Sequence, residues 1–147
     1  MGYAIGIVLA LLVSRFARWT RLDRDKAFYA TMAIVVASYY VLFAVMGGST
    51  HVLIVESIVM TVFVVVAVIG FKFNPWLVVA CLAGHGVFDA FHDLIVENPG
   101  VPEWWPAFCL AFDVGAAALL ACSRTPNARL VEQGADVAAD RQAATSM

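Results

Sequence analysis

The chain has 147 residues, of which 63% are drawn from Ala, Val, Ile, Leu, Met, Phe, Trp, Tyr and Cys and only 14% are charged; its mean hydropathy is +0.86. Soluble domains run nearer about 45–50% apolar and about 25% charged, so nine Lys and Arg with eleven Asp and Glu cannot clothe so apolar an interior in water. The composition excludes an ordinary soluble fold, and a net charge of −2 gives nucleic acid nothing to bind.

The spacing of apolar runs predicts an all-α polytopic membrane protein with five spans, at about 1–17, 27–48, 51–71, 76–97 and 106–122. The first run is followed rather than preceded by basic residues and lacks a small-residue cleavage pattern, so it reads as a retained helix and not a signal peptide. Arg15 to Lys26 is a basic juxtamembrane segment suited to anionic headgroups. Gly47-Gly48-Ser49-Thr50 ends the second span as a turn, Lys72-Phe73-Asn74-Pro75 closes the third, and Pro106 suits the first helical position of the fifth. Residues 123–147 are polar, Ala-rich and free of aromatics, which predicts a disordered cytoplasmic tail.

With the loop at Arg15 to Lys26 inside, every Lys and Arg falls on the cytoplasmic side: Arg15, Arg18, Arg21, Arg24, Lys26, Lys72, Arg124, Arg129 and Arg141. The positive-inside rule then sets the N-terminus out and the C-terminus in, in a cytoplasmic (inner) membrane. The four tryptophans, Trp19, Trp76, Trp104 and Trp105, fall at the expected interfaces. The three cysteines lie in apolar stretches and do not form a secreted-type disulfide framework.

The spans carry Glu56, His85, Asp89, His92, Asp93 and Asp113 with no Lys or Arg among them. A central Asp costs roughly 2.5–3.5 kcal/mol to insert, so protons, the histidines, water or a metal ion must neutralise these acids. At 100° per residue His85, Asp89 and His92 share one helix face, with Asp93 at its edge. Counted at about 1.5 Å per residue from the outer ends, His92 lies about 8 Å, Asp89 about 12 Å and His85 about 18 Å deep. Glu56 at about 8 Å, Asp113 at about 10 Å and Tyr39 and Tyr40 at about 10–12 Å reach similar depths, which predicts an outward-opening pocket with His85 as its floor.

Imidazoles with carboxylates form an N/O donor set suited to Zn, Fe, Mn or Cu. His85, Asp89, His92, Asp113 and Glu56 are the candidate ligands, Asp89, Asp113 and His85 the candidate catalytic groups, and Tyr39, Tyr40, Asp93 and Cys109 the candidate lining. A metal-free acid/base site and a purely structural hydrogen-bond network use the same residues. Gly84 and Gly86 flank the deepest histidine and suit close approach of a neighbouring helix or ligand.

His85-x3-Asp89-x2-His92, followed by Pro102, Trp105-Pro106, Cys109 and Asp113, resembles the signature of a small uncharacterised family of membrane proteins, over roughly residues 84–118. The chain departs from that pattern in having Asp93 where a second consecutive His is expected, so the resemblance assigns no ligand at 93. A looser similarity is to the sterol isomerase class, whose five-span members place a His-x3-acid pair on a membrane helix.

Three functions follow as expectations. The first is a membrane enzyme acting on a hydrophobic or amphiphilic small molecule by metal-assisted or acid/base chemistry. The second is a proton or metal-ion conduit, which the purely apolar run Leu77 to Leu82 beneath His85 disfavours. The third is an accessory membrane subunit. A homodimer enclosing the site is compatible with so small a bundle.

Overall fold

The computed structural model describes residues 1–124 and Gln142, and of Arg24 and Lys26 the backbone alone. The expectation of a disordered tail at 123–147 falls almost wholly outside the described residues. Five α-helices account for the described chain: α1 Gly2–Thr20, α2 Lys26–Gly47, α3 Thr50–Phe73, α4 Pro75–Ile95 and α5 Trp105–Ser123, with a 3-10 turn at Leu22–Arg24 between the first two. They are 19 to 24 residues long. At about 1.5 Å per residue that is about 28–36 Å, against a hydrocarbon core of about 30 Å. All five are long and apolar enough to cross a membrane.

Local chemistry sets the ends. Asp25 accepts from the Ala27 N–H at the start of α2, Ser49 from Val52 N–H at the start of α3, and Asn74 from Trp76 N–H at the start of α4. Each side chain satisfies one of the donors that a helix N-terminus leaves unpaired. Pro75 occupies the first position of α4, where no N–H is required. Pro106 is the second residue of α5, not the first, because the first i→i−4 bond runs from Phe108 N–H to the Trp104 carbonyl and makes Trp104 the N-cap.

Short connections make successive helices antiparallel, so α1 and α5 run parallel. They also form the most extensive pairing in the bundle, ahead of α4 with α5 and α2 with α3. Gly2, Gly6, Ala10, Ser14 and Ala17 are the buried stripe of α1. A Cβ placed on Gly6 would overlap the Phe108 carbonyl oxygen and stand 3.0 Å from the Ala111 Cβ. The two backbones therefore meet through small residues, the usual means of tight helix packing where lipid gives no hydrophobic incentive to associate.

One end of the bundle gathers Gly2 near Trp104, and Gly47 near Gly100. The opposite end brings Lys72 and Arg124 around one recess. Between the helices at that basic end lies an apolar core of Tyr29, Ala33, Ala67, Val78, Leu82 and Leu120. The rest of the interior is shared by the buried polar side chains and two smaller apolar clusters, one of Ala10, Val36 and Phe112 and one of Ala44, Val52 and Val96.

Candidate metal centre

His85 is the eleventh of the 21 residues of α4, and Asp113 the ninth of the 19 of α5. Both therefore sit at mid-bundle. Asp89 lies one turn from His85 on the same face of α4, and Tyr40 reaches the pair from α2. Gly86 lets the two helices close up, since a Cβ there would meet Val114 Cγ2 at 3.1 Å and the Leu110 carbonyl oxygen at 3.2 Å. Gly84 faces open space and packs against nothing within 4 Å.

Three donors converge. His85 Nδ1 stands 2.7 Å from Asp113 Oδ2 and 3.3 Å from Asp89 Oδ2, and the ligand atoms of the three residues all lie within 4.8 Å of one another. Donors at about 2.1 Å from a common ion sit about 3.0–3.4 Å apart in octahedral or tetrahedral arrays, so the group is close to a ligand shell as it stands. Tyr40 donates its hydroxyl to Asp89 Oδ1 at 2.7 Å. Asp89 Oδ2 and Asp113 Oδ1 are buried and accept no hydrogen bond.

A second polar group lies toward the loop end. His92 Nε2 is 2.8 Å from Glu56 Oε1 on α3, and its Nδ1 is 3.3 Å from Asp93 Oδ1. Asp93 is 80% exposed, whereas the His92 side chain is fully buried. The imidazole stacks on the Tyr40 ring at 4.1 Å and 21°. Tyr40 thus touches both groups, one through its hydroxyl and one through its ring face.

Asn98, in the loop after α4, completes this second group and escapes notice in the sequence, where Asn98-Pro99-Gly100 reads as a turn. Its Nδ2 donates to Glu56 Oε1 at 3.0 Å and to the Tyr40 carbonyl at 3.2 Å, and its Oδ1 accepts from Gly100 N–H at 3.1 Å. Gly100 in turn lies so close to α2 that a Cβ would overlap the Phe43 carbonyl oxygen. The loop is consequently pressed down on the polar interior as a lid.

Of the expected ligands, the structure brings His85, Asp89 and Asp113 together and pairs His92 with Glu56 in the separate group. Tyr40, Glu56, His85, Asp89, His92 and Asp113 are each at most 2% exposed. The polar interior is closed over by the α4–α5 loop rather than open to the outside. Tyr39 is turned away from it, packed against Trp105 at a ring separation of 5.0 Å and 37% exposed. Cys109 is buried one turn before Asp113 on α5, and Cys81 donates weakly to the Phe63 carbonyl in the apolar core at 3.5 Å. His51 is exposed near the start of α3.

Comparison of the chain with protein-family models, with characterised proteins and with solved structures gives no match.

Proposed function

We propose that the chain is a membrane-embedded metalloenzyme in which His85, Asp89 and Asp113 hold a divalent transition-metal ion at mid-bilayer. The supporting observation is the convergence of His85 Nδ1 with the buried carboxylates of Asp89 and Asp113, whose ligand atoms lie within 4.8 Å of one another, with Asp113 Oδ1 left without a hydrogen-bond partner and no Lys or Arg paired with the group among the described residues. An unpaired buried acceptor costs about 1–3 kcal/mol, and more when charged. A divalent ion would balance the two Asp carboxylates with His85 as the neutral ligand.

One imidazole with two carboxylates suits Zn, Fe or Mn. Three protein ligands are the number found in catalytic zinc sites, where a further position is left for water or substrate. Tyr40 orients Asp89, and His92, itself paired with Glu56, stacks on the Tyr40 ring. The ion would act as a Lewis acid toward an oxygen of a hydrophobic or amphiphilic substrate. The apolar core of Val78, Leu82 and Leu120 blocks passage toward the basic end, which favours an enzyme over a conduit. The gathering of Lys72 and Arg124 at one end supports an orientation with the loop end outside and the basic end in the cytoplasm.

Elemental analysis of the purified protein tests this reading. Near-stoichiometric Zn, Fe or Mn is expected, with most of it lost in His85→Ala and in Asp113→Ala. The double variant should be scarcely worse than either single one, because ligands of one ion act as a unit. Wild-type protein that stays folded and metal-free after incubation with each of the three ions would end it.

A further inference from the structure

The polar group at the loop end is arranged around one imidazole that bridges the surface and the interior. His92 sets its two ring nitrogens against carboxylates in opposite surroundings: Nδ1 faces Asp93 Oδ1 at 3.3 Å and Nε2 faces Glu56 Oε1 at 2.8 Å. Asp93 is exposed, Glu56 is buried, and the ring between them is fully buried. Glu56 is the seventh residue of α3, about 9 Å along that helix from the loop end. A chain of two hydrogen-bond contacts thus joins a surface carboxyl to an interior one.

The neighbours of the pair leave this as the path a proton can take. From α2 the titratable group facing it is Tyr40, which meets His92 ring face to ring face at 4.1 Å and turns its hydroxyl to Asp89, one turn deeper on α4. A stacked face passes no proton. Asn98 Nδ2 donates to Glu56 Oε1, but an amide does not take up a proton and hand it on as an imidazole does. Glu56 Oε2 is buried and without a hydrogen-bond partner, so the chain of contacts ends there. On the outer side a recess of about 370 Å³ is lined by Ser49, Asp93, Glu97 and Asn98, and Glu97 is exposed like Asp93. Asp93 therefore touches that recess and the imidazole at once.

We propose that Asp93, His92 and Glu56 form a one-sided proton relay, in which Glu56 is a buried proton-binding site loaded and unloaded from the loop face. In loading, the Asp93 carboxyl gives its proton to His92 Nδ1 while the Nε2 proton passes to Glu56 Oε1. Asp93 becomes a carboxylate, Glu56 a carboxyl, and His92 stays neutral with its tautomer exchanged. Unloading is the reverse, so the ring keeps its place on Tyr40 and has no need to turn over. The relay does not rest on a metal ion at the centre.

The test uses full-length protein in lipid films, with time-resolved infrared spectroscopy following the carboxyl C=O band after a light-triggered drop in pH. A band is expected that grows after the jump, is missing in Glu56→Gln and is shifted in Glu56→Asp. His92→Gln still offers an amide N–H to Glu56 but cannot pass a proton on. It should slow the growth of the band about a hundredfold, the low end of what a positioned acid–base group contributes. Asp93→Asn should slow it in the same direction and leave the thermal midpoint unchanged, because Asp93 is exposed; this variant decides the matter should His92→Gln fold poorly. A purely structural pair gives the opposite pattern, a lower midpoint in His92→Gln with no change of rate in either variant. Absence of a Glu56 band over the pH range in which the protein stays folded, or loading at the wild-type rate in either folded variant, would overturn the proposal.

Discussion

Replacing Tyr40 by Phe removes one oxygen atom from the middle of the polar interior and little else. The Phe ring retains the 4.1 Å stacking on His92 and the edge contact with Phe43, so no cavity opens. What is lost is the 2.7 Å hydrogen bond to Asp89 Oδ1. The variant leaves that carboxylate with only the 3.3 Å contact between its Oδ2 and His85 Nδ1. A hydrogen bond to a charged group contributes about 1.5–3 kcal/mol. Loss of a partner that orients a metal ligand typically weakens binding about 10–100-fold, which is about 1.4–2.7 kcal/mol. The two routes to the magnitude agree. Titration of purified wild-type and Tyr40→Phe protein against a chromophoric chelator should therefore show a 10–100-fold weaker metal site, with the helical circular dichroism unchanged. Wild-type affinity in Tyr40→Phe would mean that Asp89 needs no orientation, and the assignment of Asp89 as a ligand would fall with it.

Three further outcomes follow from the geometry. His92→Ala should leave metal at the centre while costing about 3–5 kcal/mol of stability, because it strands Glu56 in the interior; loss of the metal with the fold intact would instead move His92 into the ligand shell. Gly100→Ala should lower the thermal midpoint in detergent by the equivalent of about 1–3 kcal/mol, since the added methyl would lie 2.8 Å from the Phe43 carbonyl carbon and 3.0 Å from Gly47 N, backbone atoms that cannot step aside; an unchanged midpoint would show that the loop does not press on α2. In a Cys122→Ser background, Cys at Glu103 should react with an impermeant maleimide from outside and Cys at Lys72 only after the membrane is opened. Labelling of both from the same side would overturn the five-span topology.

The helices were legible because their signals are local. Apolar length, Asp25, Ser49, Asn74 and the prolines each act within a few residues, so the expected spans and the observed ones differ by no more than a few residues at either end. The face shared by His85, Asp89 and His92 was legible for the same reason, but a shared face says nothing of height. His85 and His92 are seven residues apart, about 10 Å of axial rise, too far for donors of one ion. Which carboxylate each imidazole meets depends on the register of α3 and α5 against α4, which a single chain does not display. Asn98 hides in a turn because its function depends on being buried, at 8% exposure, and not on its spacing. The stripe Gly2-x3-Gly6-x3-Ala10-x3-Ser14 was present in the sequence as a run of small residues, but it gains meaning only opposite Ala107, Ala111 and Gly115 on a helix a hundred positions away.

That pairing of the first helix with the last bears on how the protein is made. As the chain emerges, α1 enters the bilayer with its small-residue stripe bare and finds no mate in α2, from which it stands apart. It must wait until α5 has been synthesised. During that interval Glu56, His85, Asp89 and His92 are already in the membrane, and Asp113 is not. A ribosome that stops short of Trp105 therefore leaves behind both an unmatched helix and an incomplete set of buried charges, two defects that the lipid itself does not repair. The last helix is thus the closing step of assembly: its arrival docks α1 and completes the candidate centre in one event, and a nascent chain holds neither until then.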